Sequence, residues 1–118
     1  MKQKVHSVSY LAKAEFGFKN GVYDLVALPT GAEVVKVSLE LVGNPTAGSV
    51  SVGFKDESTK NYFFNLDDLN NKNTTSARDY TATSNSVVVA EVKNANGEDT
   101  KGVLRVLYFL PSVIEVEY

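Results

Sequence analysis

Two groups of residues in this chain carry the atoms that chemistry needs. The first is His6, the single histidine. Imidazole exchanges a proton near neutral pH, and beside a nucleophile and a carboxylate it would build a hydrolytic site. No such pair is legible around it, and it lies near the chain start, where strands fray. The second group is Asn65, Asp67, Asp68, Asn70, Asn71 and Asn73, whose side-chain oxygens suit calcium. Their spacing lacks the alternating ligands, central glycine and closing glutamate of an EF-hand. Asx-rich runs also bond their own backbone as capped turns. Asp56-Glu57 and Glu98-Asp99 read as solvated charge at loop tips. No nucleophile elbow, phosphate-binding loop or zinc-protease helix motif occurs. The expectation is no catalytic residue, no metal and no cofactor: not an enzyme.

Six tyrosines and six phenylalanines could instead form a platform for stacking sugars. Most of them fall at inward-facing strand positions, where core packing accounts for them, and the chain has no tryptophan. A carbohydrate- or surface-ligand-binding module is kept as the alternative reading.

Composition narrows the classes further. The 118 residues are enough for one domain, taken as 1–118, that buries roughly two-thirds of its unfolded surface. A net charge of −2 argues against a nucleic-acid binder, which needs a basic face. There is no cysteine, hence no disulfide framework and no thiolate site. Lys2 and Lys4 precede a run that is polar at every second position, so no signal peptide is expected. The most apolar stretch, Val103 to Val116, is interrupted by Arg105, Pro111 and Glu115. It does not fit a membrane span.

The elements that must position these residues are strands. Val35, Val37, Leu39 and Leu41 alternate with Lys36, Ser38 and Glu40, the longest period-two run in the chain. It is expected to be the central strand. Leu28-Pro29-Thr30-Gly31 leads into it as a turn with Pro29 second and Gly31 fourth. Further strands are expected over Lys4–Ala14, Val22–Leu28, Ser49–Lys55, Tyr62–Phe64, Tyr80–Thr83, Ser86–Lys93, Gly102–Leu110 and Val113–Tyr118. Asp24 inside Val22–Leu28 marks a wet face or a sheet edge. Asn20-Gly21 and Asn96-Gly97 read as hairpin tips. Asn65 to Asp79 is irregular, with one helical turn near Asp67–Asn70. Eight or nine short strands with turns about every ten residues imply an all-β fold, an antiparallel β-sandwich that is jelly-roll-like.

Two strands depart from simple alternation. Val87 and Val89 sit opposite Val88 and Ala90, and Leu107 and Phe109 sit opposite Val106 and Tyr108. Strands apolar on both sides need cover on both sides, from the 65–79 segment or from another subunit. Taking the second option, the expected oligomer interface is Val87, Val89, Leu107, Phe109, Ile114 and Tyr118. The last two belong to a terminal strand whose free edge would pair with a neighbouring sheet.

Several of these segments together resemble small virion proteins from tailed-phage and prophage structural clusters. The matching residues are Leu28-Pro29-Thr30-Gly31-Ala32, Val34 to Leu41, and Ser51-Val52-Gly53-Phe54. Asn65 to Asp68, Tyr80-Thr81-Ala82, Val87 to Val92 and Gly102 to Phe109 complete the pattern. The resemblance spans about residues 22 to 110; the strand after Pro111 departs from it. It implies a jelly-roll-like structural protein: a capsid decoration, fibre-base or head–tail accessory component. Its implied partners are itself, as a trimer or ring, and a phage capsid or other virion protein. Nucleic acid and membrane are not among them. It would be made in the bacterial host cytoplasm and end in the virion.

Overall fold

The computed structural model describes residues 1–68, 72–96 and 99–117, the last five by their backbone alone. The chain is all-β, as the alternation implies. In order the strands are β1 (Lys2–His6), β2 (Ser9–Gly17), β3 (Gly21–Leu28), β4 (Glu33–Val42) and β5 (Ala47–Phe54). They continue with β6 (Phe64–Leu66), β7 (Asn73–Ser76), β8 (Tyr80–Thr81), β9 (Ser86–Asn96), β10 (Lys101–Phe109) and β11 (Val113–Glu117). One sheet runs β2-β10-β4-β7, with β8 also on β4; the facing sheet runs β3-β9-β5-β6. All pairings are antiparallel. Successive strands alternate between the two sheets, apart from the β5–β6 and β7–β8 links. This is the antiparallel β-sandwich expected from the sequence.

Between the sheets lies an unbroken apolar layer. Leu39, Leu104, Val37, Val106, Val50, Val52, Val88 and Ala90 are at most 1% exposed. Among the described residues the only buried polar side chain is Thr100. β4 is an interior strand, between β10 and the short β7 and β8. Its register departs from strict alternation at one place. Opposite β10 it slips between Leu107 and Tyr108, so Lys36 pairs with Leu107 and Val34 with Tyr108. The bulge falls at Val35 and brings Val34 (1% exposed) into the core in its place. The preceding turn is also offset from expectation. Ala32 N donates to Pro29 O at 3.1 Å. Pro29 is therefore first and Gly31 third, with the positive φ (87°) that a type II turn demands there.

Both Asn-Gly segments were expected to close hairpins, and neither does. β2 and β3 lie in different sheets, as do β9 and β10, so these links arch from one sheet to the other. The tip at Gly97 is outside the described residues. Tyr62 and Phe63 precede β6 rather than forming it. The stretch expected to be irregular contains β7, hydrogen-bonded along Val37–Glu40. No helical turn forms at Asp67 and Asp68, and Asn70 is outside the described residues. The first expected strand is split at Ser7–Val8.

That split has a counterpart after β10, at Leu110–Ser112. β1 pairs with β11 as a separate two-stranded ribbon, with Lys4 opposite Glu115 and His6 opposite Val113. The ribbon prolongs the β2–β10 pair beyond the sandwich and contributes to principal extents of 54 × 24 × 18 Å. Leu110 N donates to Val8 O at 2.8 Å across the junction. Pro111 packs on the Gly31 turn so closely that a Cβ on Gly31 would lie 2.8 Å from its own Cβ. The free terminal edge expected for β11 is thus taken on one side by β1.

Candidate interaction surfaces

His6 serves the ribbon junction. Its Nδ1 lies 2.9 Å from Leu110 O, a contact between strand ends and not a catalytic pair. Among the described residues no three His, Asp or Glu side chains cluster as metal ligands. Asn65 Nδ2 donates to Asp67 Oδ2 at 3.4 Å, a local turn contact, while Asn70 and Asn71 are outside the described residues. No described helix is long and apolar enough to cross a membrane.

The aromatic residues mostly pack on one another. Phe54, Tyr62, Phe63 and Tyr80 form a cluster at one end of the sandwich, with centroids 4.4 to 5.4 Å apart. Arg78 lies 3.8 Å over the Tyr62 ring and donates to Tyr62 O. Tyr62 in turn donates its hydroxyl to Asp79 O at 3.1 Å. These rings cap the core and hold the 77–80 link; they do not lie open as a stacking platform.

The residues expected to form one oligomer face are not together. β9 and β10 belong to opposite sheets, so Val87 and Val89 face outward on one side and Leu107 and Phe109 on the other. Sequence alternation cannot tell a hairpin from an arch between sheets, and the expectation of a shared face rested on a hairpin. Val89 is 0% exposed. It stands in the ladder between Asp24 and Gly53. The described cover on this side is the 55–61 loop, which packs over the neighbouring Gly53. A Cβ on Gly53 would meet Glu57 Oε1 at 2.5 Å and the Lys60–Asn61 backbone at 2.7–2.8 Å. Glu57 anchors that loop by accepting from Phe54 N at 2.8 Å. Val87 is half-buried and lines a shallow 390 Å³ depression with Ala27, Leu28, Pro29, Asn85 and Ser86. On the other side, Leu107 and Leu11 floor a 250 Å³ groove rimmed by Lys36, Ser38 and Arg105. Phe109 is half-buried beyond it. Ile114 pairs with Val5 in the ribbon, and Tyr118 is outside the described residues.

One exposed feature went unread in the sequence. Among the described residues the exposed large apolar side chains are Met1, Val5, Val8, Tyr10, Leu11, Val22 and Val42. Five of these seven lie at or before position 11, from the chain start into β2. The available signal was the apolar pair Tyr10-Leu11, which puts a large side chain on each face of the strand.

Surface charge is arranged in exposed pairs. Lys55 Nζ sits 2.7 Å from Asp24 Oδ2, Arg105 3.2 Å from Glu40, and Lys101 3.4 Å from Glu15. The Lys55–Asp24 bridge crosses the outer side of β9 and protects the β3 edge that Asp24 had marked. The hydrogen bond to Asp24, then its charge, raises the Lys55 ammonium above its ordinary range. A cation with a raised folded-state pKa stabilises the fold below its unfolded value of 10.5 and loses that contribution as pH rises through the folded value. Both groups are solvated, so Lys55→Met should change the Tm at pH 7 only slightly. The difference from wild type should shrink as the pH is raised through the folded value. Thermal melts at neutral and at alkaline pH check this.

Taken together, these features define a class: a wrapped β-sandwich with an apolar interior, whose distinctive exposed parts are a projecting ribbon and a sheet edge. The chain is 76% identical, over 100% of both chains and with a TM-score of 0.94, to a chain in the acidic stable capsid structure of Helicobacter pylori bacteriophage KHP30. It belongs to the family of that phage capsid protein. A chain of the cyanophage Pam1 capsid asymmetric unit shares the fold, with a TM-score of 0.64 at 22% identity over 87% of this chain and 85% of that one. No family model and no curated protein matches the chain.

Proposed function

We propose that this protein is a non-enzymatic component of a phage particle that decorates the capsid. In this role it binds a shell built by a larger protein and associates with copies of itself. The observation that carries the reading is the full-length 76% identity with a chain of a phage capsid structure. Support comes from the exposed apolar run at Val5–Leu11 and from the ribbon, which extends the contact surface beyond the sandwich. The protein is made in the host cytoplasm and resides in the virion. Nucleic acid is not its partner, in keeping with the net charge of −2.

Mixing the purified protein with particles lacking it tests the role. Decoration predicts saturable co-sedimentation with closed shells, and shells of normal diameter when the gene is absent. Failure to co-sediment, or failure of shells to form without the gene, would overturn it.

The related capsid is described as acidic stable, and a similar tolerance is expected of this chain. None of the described carboxylates is buried, and the ion pairs they form are exposed. The fold should therefore keep a cooperative thermal transition at pH 4. Cooperative unfolding already lost at pH 4, followed by circular dichroism, would contradict this.

A further inference from the structure

The ribbon and the sandwich are paired separately, and both strands that join them break at the same level. Ser9 stands opposite Phe109 at the end of the β2–β10 ladder, and His6 opposite Val113 at the start of the ribbon. Residues 7 and 8 on one strand therefore face 110, 111 and 112 on the other. The register slips by one residue, as it does at a bulge. Pro111 has no N–H to give and cannot continue the ladder. Across the break Leu110 N donates to Val8 O at 2.8 Å, and His6 Nδ1 lies 2.9 Å from Leu110 O.

A ribbon of five residue pairs with no further strand beside it is marginal on its own. Its side chains on β1 are exposed from Lys2 to Val5 and half-buried at His6, so little burial holds it. Its seat is the turn before β4. Gly31, at φ +87°, leaves a notch there that Pro111 fills, so a Cβ on Gly31 would lie 2.8 Å from the Pro111 Cβ. The sandwich holds the notch in place. Gly31 N donates to Ala82 O at 2.6 Å, and Ala82 N donates to Ala32 O at 2.9 Å. Thr30 donates through N and Oγ1 to Asn85 Oδ1, at 3.1 and 3.2 Å.

We propose that Pro111 in the Gly31 notch is a latch, and that the ribbon opens as a unit of its own when the latch is released. Latched, β1 and β11 carry the β2–β10 pair onward as one projection. Released, the ribbon loses its seat while the two sheets keep all their ladder bonds, because none of their pairs lies before Ser9 or after Phe109. Asn85 is then a positioning residue, acting on the ribbon through the turn it anchors. The latch belongs to the single chain and does not rest on the capsid role.

Amide hydrogen exchange of the full chain, followed by NMR, reads the latch residue by residue. In the wild type the amides of residues 2–6 and 113–117 should exchange together, and faster than those of β4 and β10. Pro111→Gly empties the notch and should speed exchange in the ribbon about tenfold, leaving β9 and β10 unchanged. Gly31→Ala crowds the notch and should act in the same direction. Glycine and alanine have opposite effects on the freedom of the unfolded chain, so an effect shared by both variants belongs to the contact. Asn85→Ala should also speed the ribbon, by less. Thr46→Ala removes a hydroxyl bond to Asn96 O at the other end of the sandwich and should leave the ribbon as it is. Ribbon amides that exchange no faster than those of β10 overturn the inference. So do ribbon rates that both notch variants leave unmoved, or that Thr46→Ala raises as much.

Discussion

Leu104→Ala is expected to lower the unfolding free energy by about 2–5 kcal/mol. Leu104 is fully buried at the middle of β10, between Ala14 on β2 and Leu39 on β4. Those neighbours belong to strands that are themselves paired and cannot close over the gap. The substitution therefore loses transfer free energy and leaves a cavity. For a domain of this size the Tm should drop by about 8–20 °C. Arg105→Ala, one residue along on the outer face, tests the facing directly. Its exposed pair with Glu40 should be worth no more than ~1 kcal/mol. Chemical denaturation of both variants gives the ratio, and equal losses would mean that β10 is not oriented as described.

Gly43→Ala is expected to cost about 2–6 kcal/mol, from backbone strain and overpacking together. Gly43 holds φ at +117°, where a side chain is strained whatever the space around it. Its Cβ would also lie 2.8 Å from Asp99 O and 2.9 Å from Thr100 Cα, and neither backbone atom can swing aside. The position matters because Thr100 is the one buried polar residue among those described and precedes β10. Gly17→Ala is the control, since its added methyl meets nothing within 4 Å. Thermal melts should separate the two by more than ~8 °C.

The strands were legible because alternation over Val37–Leu41 and Val50–Phe54 reflects burial of one side, and burial is what the sheets supply. What periodicity leaves open is which strands are neighbours. Ser86–Asn96 and Lys101–Phe109 are consecutive in sequence and separate in space, so two correct strands implied an incorrect common face. Val35 was read as inward for a similar reason: a bulge shifts the phase by one residue, and nothing in Val34-Val35 marks which valine yields. Val89 looked exposed because its cover comes from the 55–61 loop, a contact made across the sheet. The last strand was legible, but its partner lies at the other end of the chain. That pairing depends on the β2–β10 register, which brings both strand ends to one place.

An image reconstruction of the phage particle at side-chain resolution tests the capsid role most directly. The expected result is this sandwich, with its β1–β11 ribbon, in symmetry-related copies on the outside of a continuous shell formed by a larger protein. A shell whose outer surface lacks it, or a shell built from this chain alone, would contradict the role.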